Sequence, residues 1–411
     1  MTTFLEARAS VLSRVSPLPV EDVLVLDAMG RVLAADVETP LDFPRFDNSA
    51  MDGWALRADD ARGPVALPVV GYVPAGAPGS APLAPGTAVR IMTGAPVPAG
   101  ADSVVPLEDA EERDGAVRIA RAVERGAHVR RRGEDIAAGD VALRAGDVLG
   151  PPEASFLASA GRRTVPVFRR PRVAIVSTGD ELVELGAPLG PGQIPDSNSL
   201  AVAAAVGLAG GVPVRLGIAR DEAGPLRAAL AEGLSSDMLV TTAGVSMGDR
   251  DLVRDVLADL GVRPVFSTVE VKPGHPTAFG TRGATTVLSL PGNPVSTLMM
   301  FEQLARPALL RMQGHRSVLR SLVTAVLDER LPHRAGRVTF SRVKLEWRGG
   351  ALHARSAGKQ ETSFLRTLLD ADGIALLPPE RSDAPAGISV PVQVLRPERE
   401  LDGVPAARAR P

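Results

Sequence analysis

The sequence predicts an α/β protein whose central parallel sheet is flanked by β-rich segments. Three observations carry this reading. Short apolar runs alternate with helical periods over 171–314; Val/Ala/Ile runs broken by Pro-Ala-Gly turns fill 44–140; strand-like runs return over 317–403. Strands that alternate with helices build parallel sheets covered on both faces.

The elements follow in order. Phe4, Ala7, Val11 and Val15 recur at helical spacing, and Pro17 ends that run. A second short segment spans 20–33. Over 44–140, Pro74-Ala75-Gly76, Ala84-Pro85-Gly86 and Pro98-Ala99-Gly100 mark turns between short strands. Pro151 and Pro152 place a linking helix near 151–161. Arg172-Val173-Ala174-Ile175-Val176 reads as a buried strand. A helix from the Asp196/Ser197 caps to 210 follows, then a strand at 212–218, a helix at 222–234 and a strand at 238–242. Beyond these come a helix at 249–260, strands at 265–271 and 285–290, and a helix at 294–312. Runs at 338–340 and 390–395 make 317–403 a small all-β domain, with 404–411 as a tail.

Composition narrows the function classes. A chain of 411 residues holds two to four domains at about 150 residues each. It has no cysteine, which excludes disulfide scaffolds, thiolate catalysis, Cys-based zinc sites and iron–sulfur clusters. The net charge is −2 and aromatics are 3%, so neither bulk charge nor base stacking recruits nucleic acid, and no membrane partner is expected. Met1-Thr2-Thr3-Phe4 has no secretory character, and the apolar stretch 200–214 is too short and too broken to span a bilayer. A cytoplasmic protein is expected. Only three of the 46 basic residues are lysines (Lys272, Lys344, Lys359), so a lysine at a candidate site needs a local reason.

In open α/β sheets, ligands bind beyond the carboxyl ends of the strands. Those ends carry Ser177-Thr178-Gly179-Asp180-Glu181, Asp221, the 244–251 segment with Gly244, Ser246, Asp249 and Asp251, then Lys272-Pro273-Gly274-His275-Pro276, and Pro291-Gly292-Asn293-Pro294-Val295-Ser296. Glycine turns entering helices leave N–H groups facing an anion. Asp180, Glu181, Asp221 and Asp251 are hard oxygen donors suited to Mg²⁺. Lys272 is a compact charge for an oxyanion. Asn293-Pro294 reads as an N-cap and first helical residue. Each feature alone is more often a turn or a cap; their clustering at strand ends points to a metal-assisted phosphate or oxyanion site. A second cluster comprises Phe46-Asp47-Asn48-Ser49-Ala50-Met51-Asp52-Gly53-Trp54, the 90–96 segment with Thr93, and Arg130-Arg131-Arg132-Gly133-Glu134-Asp135. Its bland reading is a turn plus a surface ion-pair network joining the arginines to Glu134 and Asp135. Of the five histidines, only His275 falls in a candidate site.

Taken together, FDNSAMDGWALR (46–57), RIMTGAPVPAGADSVV (90–105), RRRGEDI (130–136), VSTGDEL (176–182), AGVSMGDRD (243–251), KPGHP (272–276) and LPGNPVS (290–296) resemble the molybdopterin molybdenumtransferase (MoeA) family, which includes the E domain of gephyrin-type proteins. The resemblance implies a homodimer of four-domain subunits. These are a discontinuous linking domain (1–43 and 141–170), an inserted β-rich domain (44–140), an α/β molybdopterin-binding domain (171–316) and a C-terminal β-barrel-like domain (317–403). It implies insertion of molybdate into adenylylated molybdopterin, with Mg²⁺-dependent pyrophosphate cleavage and AMP release. The site then lies between the α/β domain of one subunit and the inserted domain of the other.

The resemblance also implies roles. Glu181, Asp221 and Asp251 would hold Mg²⁺ and, with Asp52, serve catalysis. Lys272, Ser296 and Arg342 would hold molybdate or a phosphate, with Arg342 offering a planar fork. Gly244, Ser246, Gly292 and Asn293 would donate to the substrate, while Thr93, Asp135, Thr178, Asp180, His275 and Pro276 complete its surroundings. Molybdopterin adenylyltransferase and molybdoenzyme targets are implied as further partners. Three positions depart from the family pattern: His275 replaces the second lysine of KPGKP, Thr268 replaces an upstream lysine, and Ala243 replaces a glycine. The last change is mild if residue 243 has negative φ. These departures keep a second reading open, a divergent non-catalytic paralog that binds molybdopterin or acts as a scaffold.

Overall fold

The computed structural model describes residues 2–76, 80–243 and 252–395. The chain divides into two compact units, Met1–Ala34 with Gly146–Gly150 and Thr164–Pro411, and Ala35–Ala145 with Pro151–Arg163.

In the first unit, the helix Phe4–Leu12 starts where the sequence places it. Thr3 and Glu6 form a capping box: the Glu6 N–H donates to the Thr3 hydroxyl at 3.3 Å, and the Thr3 N–H donates to the Glu6 carboxylate at 2.9 Å. Phe4, Ala7 and Val11 point into the core, where Phe4 meets Phe340 edge-on at 5.1 Å between ring centres.

The α/β sheet runs in the order Val212–Ala219, Arg172–Thr178, Met238–Thr242, Thr285–Leu290, Ala278–Arg282, Arg263–Phe266. The first four strands are mutually parallel. After Arg172–Thr178 the chain adds a strand on one side and then crosses to the other. The order therefore reverses between Arg172–Thr178 and Met238–Thr242, the place where α/β sheets open a binding crevice. Alternate residues serve opposite faces. Val173, Ile175 and Val240 pack with Val202, Val206 and Met299 on one face, whereas Ala174, Val176 and Leu239 pack with Leu226, Leu230 and Val253 on the other. Each fully buried Val or Leu contributes about 1.5–3 kcal/mol of transfer free energy, which makes this two-sided burial the main support of the site.

The all-parallel expectation needs correction. Ala278–Arg282 pairs antiparallel with Thr285–Leu290 through a tight turn at Gly283, and Arg263–Phe266 pairs antiparallel with Ala278–Arg282. The expected strand at 265–271 ends at Phe266. Val271–Lys272 leaves this sheet and pairs with Val338–Arg348 of the C-terminal sheet. The 294–312 helix is also not uniform. Pro294–Met300 and Arg306–Met312 are α-helical, and Phe301–Ala305 between them is a π turn.

The C-terminal strands close on themselves. Val338–Arg348, Ala351–Ser356, Leu322–Leu327, Ser389–Val394 and Gly373–Leu377 form a five-stranded ring, because Gly373–Leu377 pairs back with Val338–Arg348. It is not all-β, since the short helix Arg366–Asp370 lies within it.

The second unit is built on a six-stranded sheet that includes Gly53–Leu56, Val65–Val73, Ala88–Ile91 and Ser103–Pro106. Gly53 is required there: a Cβ would collide with the Val105 carbonyl on the neighbouring strand. The helix Pro151–Ser159 belongs to this unit and buries Leu157. Among the described residues, no helix is long and apolar enough to cross a membrane.

Candidate active site

A cleft of about 580 Å³ opens at the carboxyl ends of the parallel strands in the first unit. Glu181, Asp196, Asn198, Thr242, Gly292 and Asn293 are among its lining residues.

The Thr178-Gly179-Asp180-Glu181 turn is held from two sides. The Asp221 N–H donates to the Asp180 carboxylate at 3.3 Å, and Arg220 donates to the Asp180 carbonyl at 2.8 Å. Leu182–Val183 pairs with Ile194–Pro195, and the Ile194 N–H donates to the Glu181 carbonyl at 2.9 Å. The three expected carboxylates Asp180, Glu181 and Asp221 are thus gathered at one edge. Asp221 is open to solvent on one side, yet its pKa is raised, first by partial burial of the carboxyl and then by the charges of Asp180 and Glu181. Like charges kept this close favour a bound cation or proton. Among the described residues, however, no three acidic or histidine groups meet as a metal cluster. Gly244, Ser246, Asp249 and Asp251, the remaining expected donors, lie outside the described residues.

Pro291, Gly292 and Asn293 of the next strand-end turn form another part of the lining. Asn293 is the N-cap residue and Pro294 follows it, as expected, but the Asn293 side chain makes no capping bond. Thr297 fastens the turn instead, donating through its hydroxyl to the carbonyls of Pro291 (2.5 Å) and Asn293 (3.0 Å). Asn293 is exposed, while Ser296 is 3% exposed. Asn198 donates to the Gly292 carbonyl at 2.7 Å. Thr178 is buried with its hydroxyl unpartnered among protein groups.

Ala243 has φ 68°, so the mild outcome expected for negative φ does not hold. Its methyl faces Gly292, where a Cβ would stand only 3.1 Å away. The pair works because one of the two residues has no side chain.

The KPGHP turn departs from its expected setting. Lys272 does not end a parallel strand of the α/β sheet; it sits exposed at the end of the short strand paired with the barrel. The His275 ring bonds the Val269 carbonyl through Nδ1 at 2.8 Å, and its backbone carbonyl accepts from Val269 and Thr277. His275 therefore clasps this loop closed, and Pro276 lines the cleft.

Arg342 is not an open fork. It is fully buried, with Nε donating to the Thr367 hydroxyl (2.9 Å) and Nη2 to the carbonyls of Lys359 (3.2 Å) and Glu361 (3.1 Å). Burial lowers its pKa to about 10. Nη1 alone has no protein partner. The loop it braces reaches the cleft, since the Val295 N–H donates to the Thr362 carbonyl and Ser363 lines the wall.

In the second unit, the three N-terminal motifs converge. Thr93 donates to one Asp52 oxygen twice, through its hydroxyl (2.7 Å) and its backbone N–H (2.6 Å), and these bonds lower the Asp52 pKa. Asn48–Ser49 pairs with Val129–Arg130. The surface network takes different partners from those expected: Arg131 pairs with Asp47 at 2.7 Å and Arg132 with Asp42, not with Glu134 and Asp135. Glu134 instead accepts the Arg131 N–H at 2.6 Å. Asp135 is exposed.

Sequence reading missed Asp196, Asn198 and Ser363 as cleft residues. Asp196 and Asn198 were legible only as a helix start, and Ser363 arrives from a distant loop that carries no local signal.

A cleft at the switch point of a doubly covered α/β sheet, with acidic side chains at its edge, marks the small-molecule-binding class of α/β proteins. The comparisons make that class specific. Residues 2–161 match the MoeA N-terminal region (domain I and II), 174–311 a probable molybdopterin binding domain, and 324–395 the MoeA C-terminal region (domain IV). A molybdopterin molybdenumtransferase 2 of Mycobacterium tuberculosis is 39% identical over 383 residues, covering 90% of this chain and 94% of its own. A molybdopterin molybdenumtransferase of Haemophilus influenzae is 34% identical, covering 96% and 98%. The crystal structure of a molybdopterin biosynthesis MoeA protein from Pyrococcus horikosii superposes with a TM-score of 0.83 at 33% identity, covering 96% and 99%. The chain belongs to the MoeA family of molybdopterin molybdenumtransferases.

Proposed function

We infer that this chain is the molybdenum-inserting enzyme of molybdenum cofactor biosynthesis, taking adenylylated molybdopterin and molybdate as substrates and releasing AMP. The observation that carries this reading is the cleft itself: Glu181 lines it together with a Gly292-Asn293 turn whose side-chain cap is unused, and Asp180 and Asp221 adjoin Glu181. Family membership supplies the substrate class.

Hard carboxylate oxygens at one edge suit Mg²⁺, and the pKa of Asp221 is raised first by burial and then by the charges of Asp180 and Glu181. Glu181 and Asp221, with Asp251 as the third assigned residue, would hold the ion. When bound, it supplies charge neutralisation on the pyrophosphate. The protein's own groups do the rest. The Gly292-Asn293 turn presents donors to the substrate. Lys272 and Ser296 would hold molybdate or a phosphate oxygen, Arg342 braces the 359–367 loop that reaches the cleft, and His275 fixes the loop that carries Lys272. The four-domain division is supported by the separate matches to domains I and II, the binding domain and domain IV. We read the protein as a cytoplasmic homodimer in which Asp52, Thr93 and Asp135 of a second copy complete the site. Asp52 is suited to this, because Thr93 holds it as a fixed anion.

The test is AMP release from adenylylated molybdopterin by purified protein with Mg²⁺, with and without molybdate. Release that requires molybdate is expected. Substrate binding without release would favour the non-catalytic paralog, for which the lysine-poor KPGHP loop is the specific argument.

A further inference from the structure

Asp196 carries one oxygen more than its structural task needs. The residue is 1% exposed and lines the cleft. Its Oδ1 accepts the Ser199 N–H at 3.1 Å, capping the helix Ser197–Leu208. Its own N–H donates to the Val183 carbonyl at 2.9 Å, which locks its backbone to the segment that follows Glu181. Oδ2 is buried and has no protein partner. A serine or asparagine would cap this helix about as well without burying a second charged oxygen. An unpaired buried acceptor is costly, and it persists where a ligand restores the missing bond.

The inference rests on the molybdopterin reading above and extends it. The geometry points to Asp196 as the residue that recognises the pterin ring, its Oδ2 accepting an N–H from the 2-amino group of the 2-amino-4-oxo edge. With Oδ1 engaged in the cap, one oxygen is free for one donor, and an amino N–H to a carboxylate is a charge-assisted bond. The other substrate groups fit poorly. Phosphate and molybdate oxygens are repelled by a carboxylate. Adenine flanks its single amino group with acceptor nitrogens. The cleft has the size of a small-ligand site, Pro195, Ala243 and Pro291 line it with Asp196, and Asn198 ties down Gly292. Asp196 thus marks the pterin end, with the oxyanions directed elsewhere.

The probes are pterin and lumazine, which carries an oxo group in place of the 2-amino group, titrated by fluorescence against the full-length protein. Wild type is expected to bind pterin at least about tenfold more tightly than lumazine, because a site built around a donor rejects the analogue lacking it. Asp196→Asn keeps a capping oxygen and presents an amide, so the preference should vanish or reverse. Asp196→Ser keeps the cap and removes the acceptor, so pterin affinity should fall with little loss of thermal stability. A pterin-to-lumazine ratio unchanged by both substitutions would overturn the assignment. So would wild type that fails to discriminate, or discrimination found between AMP and IMP instead. Molybdate-dependent AMP release without pterin preference sinks this inference alone; pterin preference without AMP release sinks the transferase reading alone.

Discussion

Ala243 shows how much one methyl group decides. A left-handed backbone costs a residue with a Cβ about 1 kcal/mol relative to glycine, and Ala243 accepts that cost at the mouth of the cleft. Its methyl is seated on the bare face of Gly292, so the two positions are coupled. Ala243→Gly should therefore raise stability by about 1 kcal/mol, seen as a higher thermal midpoint of the substrate-free protein. Gly292→Ala should lower it, because two Cβ atoms at 3.1 Å must push the turn aside. An Ala243→Gly variant no more stable than wild type would mean that the strain is relieved by neighbouring backbone.

Among elements, those with a local code were legible in the sequence. The capping box at Thr3 and Glu6, the apolar strand Arg172–Thr178 and the Asp196 helix start all carry their signals within a few residues. What was not legible depends on distant partners. Nothing in Val271–Lys272 says that it will pair with Val338–Arg348 rather than extend the preceding strand. Strand Ala278–Arg282 was overlooked because Gly280 interrupts its apolar pattern, yet that glycine lets the Arg263 carbonyl approach where a Cβ would sit at 2.8 Å. The site was read to the level of its motifs but not of their contacts. Arg342 was expected to face an anion openly, whereas three of its bonds brace the 359–367 loop. Arg342→Lys keeps the charge but cannot make that fork. It should cost about 2 kcal/mol in urea denaturation, because buried acceptors lose their donors. A cost near zero would show that the loop holds itself.

At the scale of the whole molecule, the candidate chemistry is split between two compact units. The strand-end cleft lies in one, and the Asp52–Thr93 pair lies in the other. Asp52 is the more informative of the two patches. Two bonds from Thr93, with the charge of Arg90 nearby, lower its carboxyl pKa and favour the anion. Under the proposed function both patches would serve one reaction, drawn from different copies of the chain. Asp52→Ala and Asp221→Ala should each abolish molybdate-dependent AMP release while leaving the fold intact. The most direct measurement mixes the two inactive variants, exchanges their subunits and assays AMP release. If each site takes Asp52 from one copy and Asp221 from the other, a mixed dimer regains one intact site. An equal mixture should then recover about a quarter of wild-type activity. No recovery in a mixture whose mixed dimers are verified by mass would contradict the shared site.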